Sequence, residues 1–161
     1  MAYLIDTNVF IQAKNQYYDF EVCPGFWDWL VAAHQKGRVF SIEQVRVELM
    51  KGQDKLADWT KDRNRRFFLK VDDPFAAQMR VVVRWAQKKY APPAVADFVG
   101  CADSALVAFA LAHNHTVVTH ETSRPAKTAT VKIPDACHGT GAKVMSAVEM
   151  LRKEKARFVL E

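Results

Sequence analysis

The segment Cys101–Asn114 limits the fold more than any other part of the chain. Its residues suit a helix, yet the run from Ala105 to Ala112 presents almost no polar face. A helix apolar nearly all round has to be buried on both sides, which places it at the centre of a layered structure. Its only early acid is Asp103. The β-branched strand Thr116-Val117-Val118-Thr119 follows at once, and Glu121 lies just beyond it.

The chain opens on the same pattern. Tyr3-Leu4-Ile5 reads as a short buried strand that delivers Asp6, with Thr7 and Asn8 next. In an open α/β sheet, ligands bind outside the carboxyl ends of the strands, so Asp6 is a candidate functional acid. Capping of a helix that begins near Asn8 is the alternative.

Strands and helices alternate in between. Pro24 opens a helix stopped by Gly37, and Arg38–Ser41 is a brief strand. Ser41 and Gln44 have capping-box spacing, which predicts a helix to about Lys51 that carries Glu48, with Glu43 as its competitor for a functional role. A helix after Asp54, a strand within Phe67–Val71 and a helix from Asp73-Pro74 to Tyr90 follow, the last broken by Pro92-Pro93. Asp97 reads as a cap before a helix at Phe98. Toward the end the pattern predicts a polar loop from Thr122 to Lys132 and a turn at His138–Lys143. A last helix over Ala142–Lys153 and an edge strand at Arg157–Leu160 complete it.

Repeated strand–helix units argue for an α/β fold with parallel pairing and right-handed crossovers. The 161 residues suit one domain, 1–161, with no composition shift to mark a boundary. The longest nearly apolar run is far short of the roughly 20 residues of a membrane span. Three scattered cysteines, Cys23, Cys101 and Cys137, suggest neither a disulfide framework nor a zinc ribbon, and the start carries no signal-like core. A reducing cytoplasm is the expected compartment. The formal charge of +5 suits a polyanionic partner without demanding one.

Parallel topology brings acids together. A helix leading into a strand begins at the carboxyl edge of the sheet, so Asp103 lies at that edge, as does Glu121 past the strand end. If the strand order reverses between the first strand and the Thr116 strand, Asp6 and Glu121 flank the switch point. Glu48 is about two helical turns from Ser41 and completes a set of four. Two carboxylates roughly 5 Å apart repel by about 3 kcal/mol at an effective dielectric near 20, so such a pocket holds either protons or cations. Mg2+ or Mn2+ is the natural cation, because hard ions take oxygen ligands, and it suits hydrolysis of a phosphodiester. The cationic stripe Arg80, Arg84 and Lys88 would then hold the strand being cut; alone it is a solvated face.

Leu4-Ile5-Asp6-Thr7-Asn8, Val45-Arg46-Val47-Glu48-Leu49, Ala102-Asp103 opening an apolar helix, and Val117-Val118-Thr119-His120-Glu121 resemble the successive motifs of PIN-domain ribonucleases, over essentially the whole chain. Lys132-Ile133-Pro134-Asp135-Ala136-Cys137 resembles the signature of an uncharacterised PIN-like branch related to VapC toxins. The resemblance implies an α/β/α sandwich around a mainly parallel, roughly five-stranded sheet. It also implies Mg2+- or Mn2+-dependent cleavage of RNA, in a toxin paired with an antitoxin protein and dimeric with itself. Asp6, Glu48, Asp103 and Glu121 would form the catalytic and metal-binding cluster, and Asn8 and Thr119 would support it. Glu121 departs from the family pattern, which more often has Asp there.

Two other functions fit parts of the pattern. One is a PIN-like module that binds RNA or protein without cutting. The other is a phosphatase with Asp6 as phosphoryl acceptor, against which Asn8 counts, since haloacid-dehalogenase-like enzymes usually carry a second Asp at that place. His138–Lys143 lacks the ending of a phosphate loop.

Overall fold

A computed structural model describes residues 1–160. The chain begins with β1 (Tyr3–Ile5), α1 (Thr7–Gln12) and a single π-helical turn over Ala13–Tyr17, then α2 (Pro24–Gln35) and β2 (Val39–Ile42). Next come α3 (Glu43–Met50), α4 (Lys55–Lys61), β3 (Phe68–Leu69), α5 (Asp73–Lys89), α6 (Pro92–Gly100) and α7 (Ala102–His113). The chain continues through β4 (Thr116–Val118), α8 (Ile133–Thr140), β5 (Lys143–Met145) and α9 (Ala147–Lys153). The five strands form one parallel sheet in the order β3-β2-β1-β4-β5, flanked by helices as an α/β/α sandwich, which is the architecture expected from the sequence.

The sheet reverses at β1. From β1 the chain steps outward to β2 and β3, then returns through α5, α6 and α7 to lay β4 on the other side of β1. Tyr3, Leu4 and Ile5 stand level with Thr116, Val117 and Val118, and this register sets Asp6 beside Thr119. All six of those strand residues are buried. Each fully buried Leu, Ile or Val contributes about 1.5–3 kcal/mol, so the two central strands are anchored despite their length of three residues.

The apolar helix sits where its composition requires. From Ala102 to Ala110 every residue of α7 except Asp103 is buried, and α5 packs along it. No single helix among the described residues is long and apolar enough to cross a membrane. α6 and α7 reach that apolar length only together, across a 72° bend.

Several sequence-based expectations fail for identifiable reasons. Ser41 does not cap α3: it is still in β2, paired with Phe68, and its hydroxyl donates to the Ile5 carbonyl (2.6 Å). Pro92 and Pro93 end one helix but also open α6, so Asp97 lies inside that helix and caps nothing. Lys143–Met145 is not helical; it pairs with β4 as β5, and the helix behind it starts only after Ser146, which forms a capping box with Glu149. His138–Thr140 is the end of α8, not a turn, with Gly141 in the left-handed conformation at its C-terminus. Arg157–Leu160 forms no strand. Phe158 instead turns in against Tyr18 and Phe26, at ring separations of 5.9 and 6.1 Å.

Candidate functional site

Asp6 leaves β1 at the carboxyl edge of the sheet, beside the strand-order reversal. It occupies the N-cap position of α1, but its side chain makes no cap hydrogen bond there. It is instead 2 % exposed and accepts a hydrogen bond from Thr119 Oγ1 at Oδ2 (2.8 Å). The capping alternative is thereby removed, and a desolvated carboxyl remains. Burial, followed by the charges of Asp103 and Glu121, raises its pKa from the ordinary 3.8 to about 8; the Thr119 hydroxyl and the Thr7 amide pull the other way.

Thr119 and Asn8 form a small frame around this acid. Thr119 Oγ1 also accepts from the Glu121 amide (3.0 Å) and from Asn8 Nδ2 (3.4 Å), while Asn8 Oδ1 accepts from the His120 amide (3.2 Å). The turn after β4 is therefore tied to the turn after β1. The supporting positions expected for Asn8 and Thr119 coincide with these bonds.

Asp103 stands in the first turn of α7, with Cys101 at the N-cap position. Burial first, then the charge of Glu121, raises its pKa to about 6. The Cys101 thiol lowers it by a hydrogen bond, Glu48 raises it, and Lys132 opposes the rise. Cys101 is itself pushed up to about 12 by burial and by Asp103, so its thiol stays protonated and offers no thiolate. Asp6 and Asp103 each respond to the other acids nearby. Residues 97 positions apart in sequence have thus been brought to one place.

Glu48 and Glu121 reach the same place with their oxygens partly engaged. Glu48 accepts from Thr7 Oγ1 and from the Ala102 amide (2.9 Å), taking over the cap of α7 that Cys101 does not supply. Glu121 Oε2 accepts from the Ile133 amide at the start of α8 (2.7 Å), and Oε1 faces Lys132 Nζ at 3.5 Å. Two helix amino termini, α7 and α8, are therefore held by glutamates at the edge of the cluster, where helix dipoles favour negative charge. In this arrangement no three His, Cys, Asp or Glu side chains among the described residues stand together as ligands of one ion. The cause is geometric: both glutamates are turned toward backbone amides. Asp6 and Asp103 have the donor chemistry for a hard divalent cation, whose charge would take the place of the protons that their raised pKa values retain.

A small cleft of about 160 Å3 opens onto this cluster, lined by Asp97, Cys101, Asp103, Glu121, Thr130 and Lys132 among others. Lys132 and Thr7 are partners of the acids that sequence reasoning did not single out for the site. Lys132 could have been found as the residue before the Ile133-Pro134 helix start, and Thr7 as a hydroxyl adjoining Asp6. Arg80, Arg84 and Lys88 are exposed on α5; Arg80 and Arg84 border an apolar groove with Phe75, Met79 and Val83, and none of the three lines the acidic cleft. Glu43, the competitor of Glu48, is exposed and lines a separate pocket with Arg46, Arg65 and Lys70.

A family model described as a domain of unknown function (DUF4411) matches residues 3–158. Comparison with curated proteins and with solved structures gives no match.

Proposed function

We propose that this chain, which belongs to the DUF4411 family, is a Mg2+- or Mn2+-dependent endoribonuclease. The observation that carries the reading is the pairing of Asp6 and Asp103 at the reversal of a parallel sheet, where each holds its proton well above the carboxylate range. Acids coupled in this way, Asp6 buried and Asp103 half-buried, either share protons or share a cation, and a cleft beside them gives access. Asp6 and Asp103 would hold the ion directly. Glu48 and Glu121 would act through water or by releasing an amide. When bound, the cation supplies the positive charge that a phosphodiester under hydrolysis needs neutralised.

The chain's own groups define the rest. Thr119 fixes the Asp6 carboxyl by its hydrogen bond and holds the Glu121 amide, so the two turns keep their spacing. Lys132, at the rim of the cleft, would meet a backbone phosphate, and Arg124 and Lys127 on the adjoining exposed segment extend that positive edge. The sequence resemblance to VapC-like toxins extends the reading to the toxin of a toxin–antitoxin pair, with a dimeric chain and an antitoxin protein as partner. Three free cysteines suit a reducing cytoplasm.

The test is cleavage of single-stranded RNA by purified protein with Mn2+ or Mg2+. The reading expects cleavage that EDTA and Asp103→Asn each abolish. Intact RNA under both metals rejects it. A second reading, a PIN-like module that binds RNA or a protein partner without cutting, draws on the engagement of Glu48 and Glu121 by backbone amides. It would prevail if RNA were bound, yet neither cut nor protected by divalent ions.

A further inference from the structure

A second cleft, of about 340 Å3, lies between α5 and the start of the segment after Glu121. Its lining is unlike that of the acidic cleft. Trp85 and Tyr90 supply an aromatic pair with ring centres 5.6 Å apart and planes tilted by 58°. Ser123, Asp135, His138 and Lys89 supply a hydroxyl, a carboxylate, an imidazole and an ammonium. At this volume the cleft lies within the range of small-molecule sites, and its mixture of flat apolar walls and a few polar groups is what such sites use.

The walls are fixed rather than soft. Gly139 lies directly under the indole: a Cβ there would come within 2.0 Å of Trp85 Nε1. The missing side chain lets the ring rest on the backbone of α8, and Nε1 is buried there with no hydrogen-bond partner. Asp135 is 8 % exposed and accepts from the Ser123 hydroxyl and the Arg124 amide (2.9 Å), which pins the opposite wall. A carboxylate has about four lone-pair sites, so two bonds leave it able to accept from a ligand as well.

The two clefts have no lining residue in common, but they are neighbours along two segments of the chain. Glu121 borders the acidic cleft and Ser123, two residues later, borders this one; Lys132 borders the acidic cleft and Asp135, three residues later in the first turn of α8, borders this one. Two extended residues span at most about 7 Å, so a group bound here sits next to whatever the acids hold. We infer that this cleft binds one unpaired nucleobase of the RNA strand, flanking the phosphodiester at the acids, with Trp85 and Tyr90 as aromatic walls, Asp135 and His138 at the base edge, and Lys89 leaving its place over the indole, 6.0 Å from the ring centre, to meet that edge. Single-stranded RNA is commonly recognised in this way, by a splayed base stacked on aromatic rings and bonded along its edge. The inference rests on the nuclease reading for the identity of the strand.

The test uses the full chain carrying Asp103→Asn, so that nothing is cut, and four pentaribonucleotides that differ in the base repeated. Binding is read by fluorescence anisotropy. One composition should bind at least about fivefold more tightly than the weakest. Lys89→Ala with His138→Ala, both exposed residues, should reduce that spread to about twofold or less. Arg80→Ala with Arg84→Ala, removing two positive charges outside this cleft, should weaken all four alike and leave the spread intact. Equal binding of the four RNAs, no detectable binding, or a spread that survives loss of Lys89 and His138 overturns the inference. Cleavage by the unaltered protein separates the two proposals. Cutting without base preference removes the base site alone, and base-selective binding without cutting removes the nuclease alone.

Discussion

Replacing Asp6 by Asn should stabilise the metal-free protein, and increasingly so as pH rises. The buried carboxyl has its pKa raised from 3.8 to about 8. Below pH ~4 folded and unfolded chains both carry the proton, and the acid costs nothing. Between pH ~4 and ~8 the unfolded chain has released it while the folded chain retains it, so stability falls with pH by up to about 1.4 kcal/mol per unit. Over the whole interval the ceiling is about 6 kcal/mol. Part of the rise comes from Asp103 and Glu121, which also relax in the variant, so a gain of about 2–4 kcal/mol at pH 8 is expected. Asn keeps an oxygen to accept from Thr119, so the change removes charge with little change of shape. Urea unfolding in EDTA at pH 5, 6.5 and 8 measures it. With Mn2+ at 100 times its dissociation constant the difference at pH 8 should shrink by roughly 2.7 kcal/mol, the ligand linkage that only the unaltered protein gains. A variant no more stable than the parent at pH 8, or a difference independent of pH, would refute the claim that Asp6 is a frustrated acid.

Three further outcomes follow from named contacts. Glu48→Ala should lose about 1–3 kcal/mol of stability by exposing the Ala102 amide and Thr7 hydroxyl to an empty site, whereas Glu48→Gln should keep most of it; equal losses in urea titrations would mean that charge, not the cap, matters. Lys132→Ala removes the cation that holds down the Asp103 pKa, so the acid limb of kcat/KM against pH should move upward from near 6; an unmoved limb would place Lys132 outside the site. Gly139→Ala should cost about 1–3 kcal/mol in thermal or chemical unfolding through the collision with Trp85, and a neutral change would show that the indole moves freely.

What the sequence disclosed, it disclosed through strong local signals. An apolar helix without a polar face could only be α7, and β1 and β4 were visible because they are buried on both sides and therefore continuously apolar. Asp6, Asp103 and Glu121 were legible for the same reason: each is the first acid after a strand or in the first turn of a helix, and parallel topology places such residues together, whereas Glu48 lies further along α3, behind Glu43. β5 was hidden because Lys143-Val144-Met145 is three residues of mixed character whose conformation is decided by β4, not by its own pattern. Pro92-Pro93 carries two signals at once, since a helix breaker and a helix opener are the same residue at N1. The partners of the acids were harder still. That Glu48 reaches the start of α7 and Glu121 the start of α8 depends on how α3 and α8 lean on their neighbours, and no spacing in the sequence encodes that.

Titration calorimetry with Mn2+ on the unaltered chain, Asp6→Asn and Asp103→Asn addresses the shared-cation site most directly. The unaltered chain should bind at least one ion, and either substitution should abolish that binding at pH 7.5 while the circular dichroism of the fold is retained. Ion binding that survives both substitutions, or none in the unaltered chain, would contradict the account.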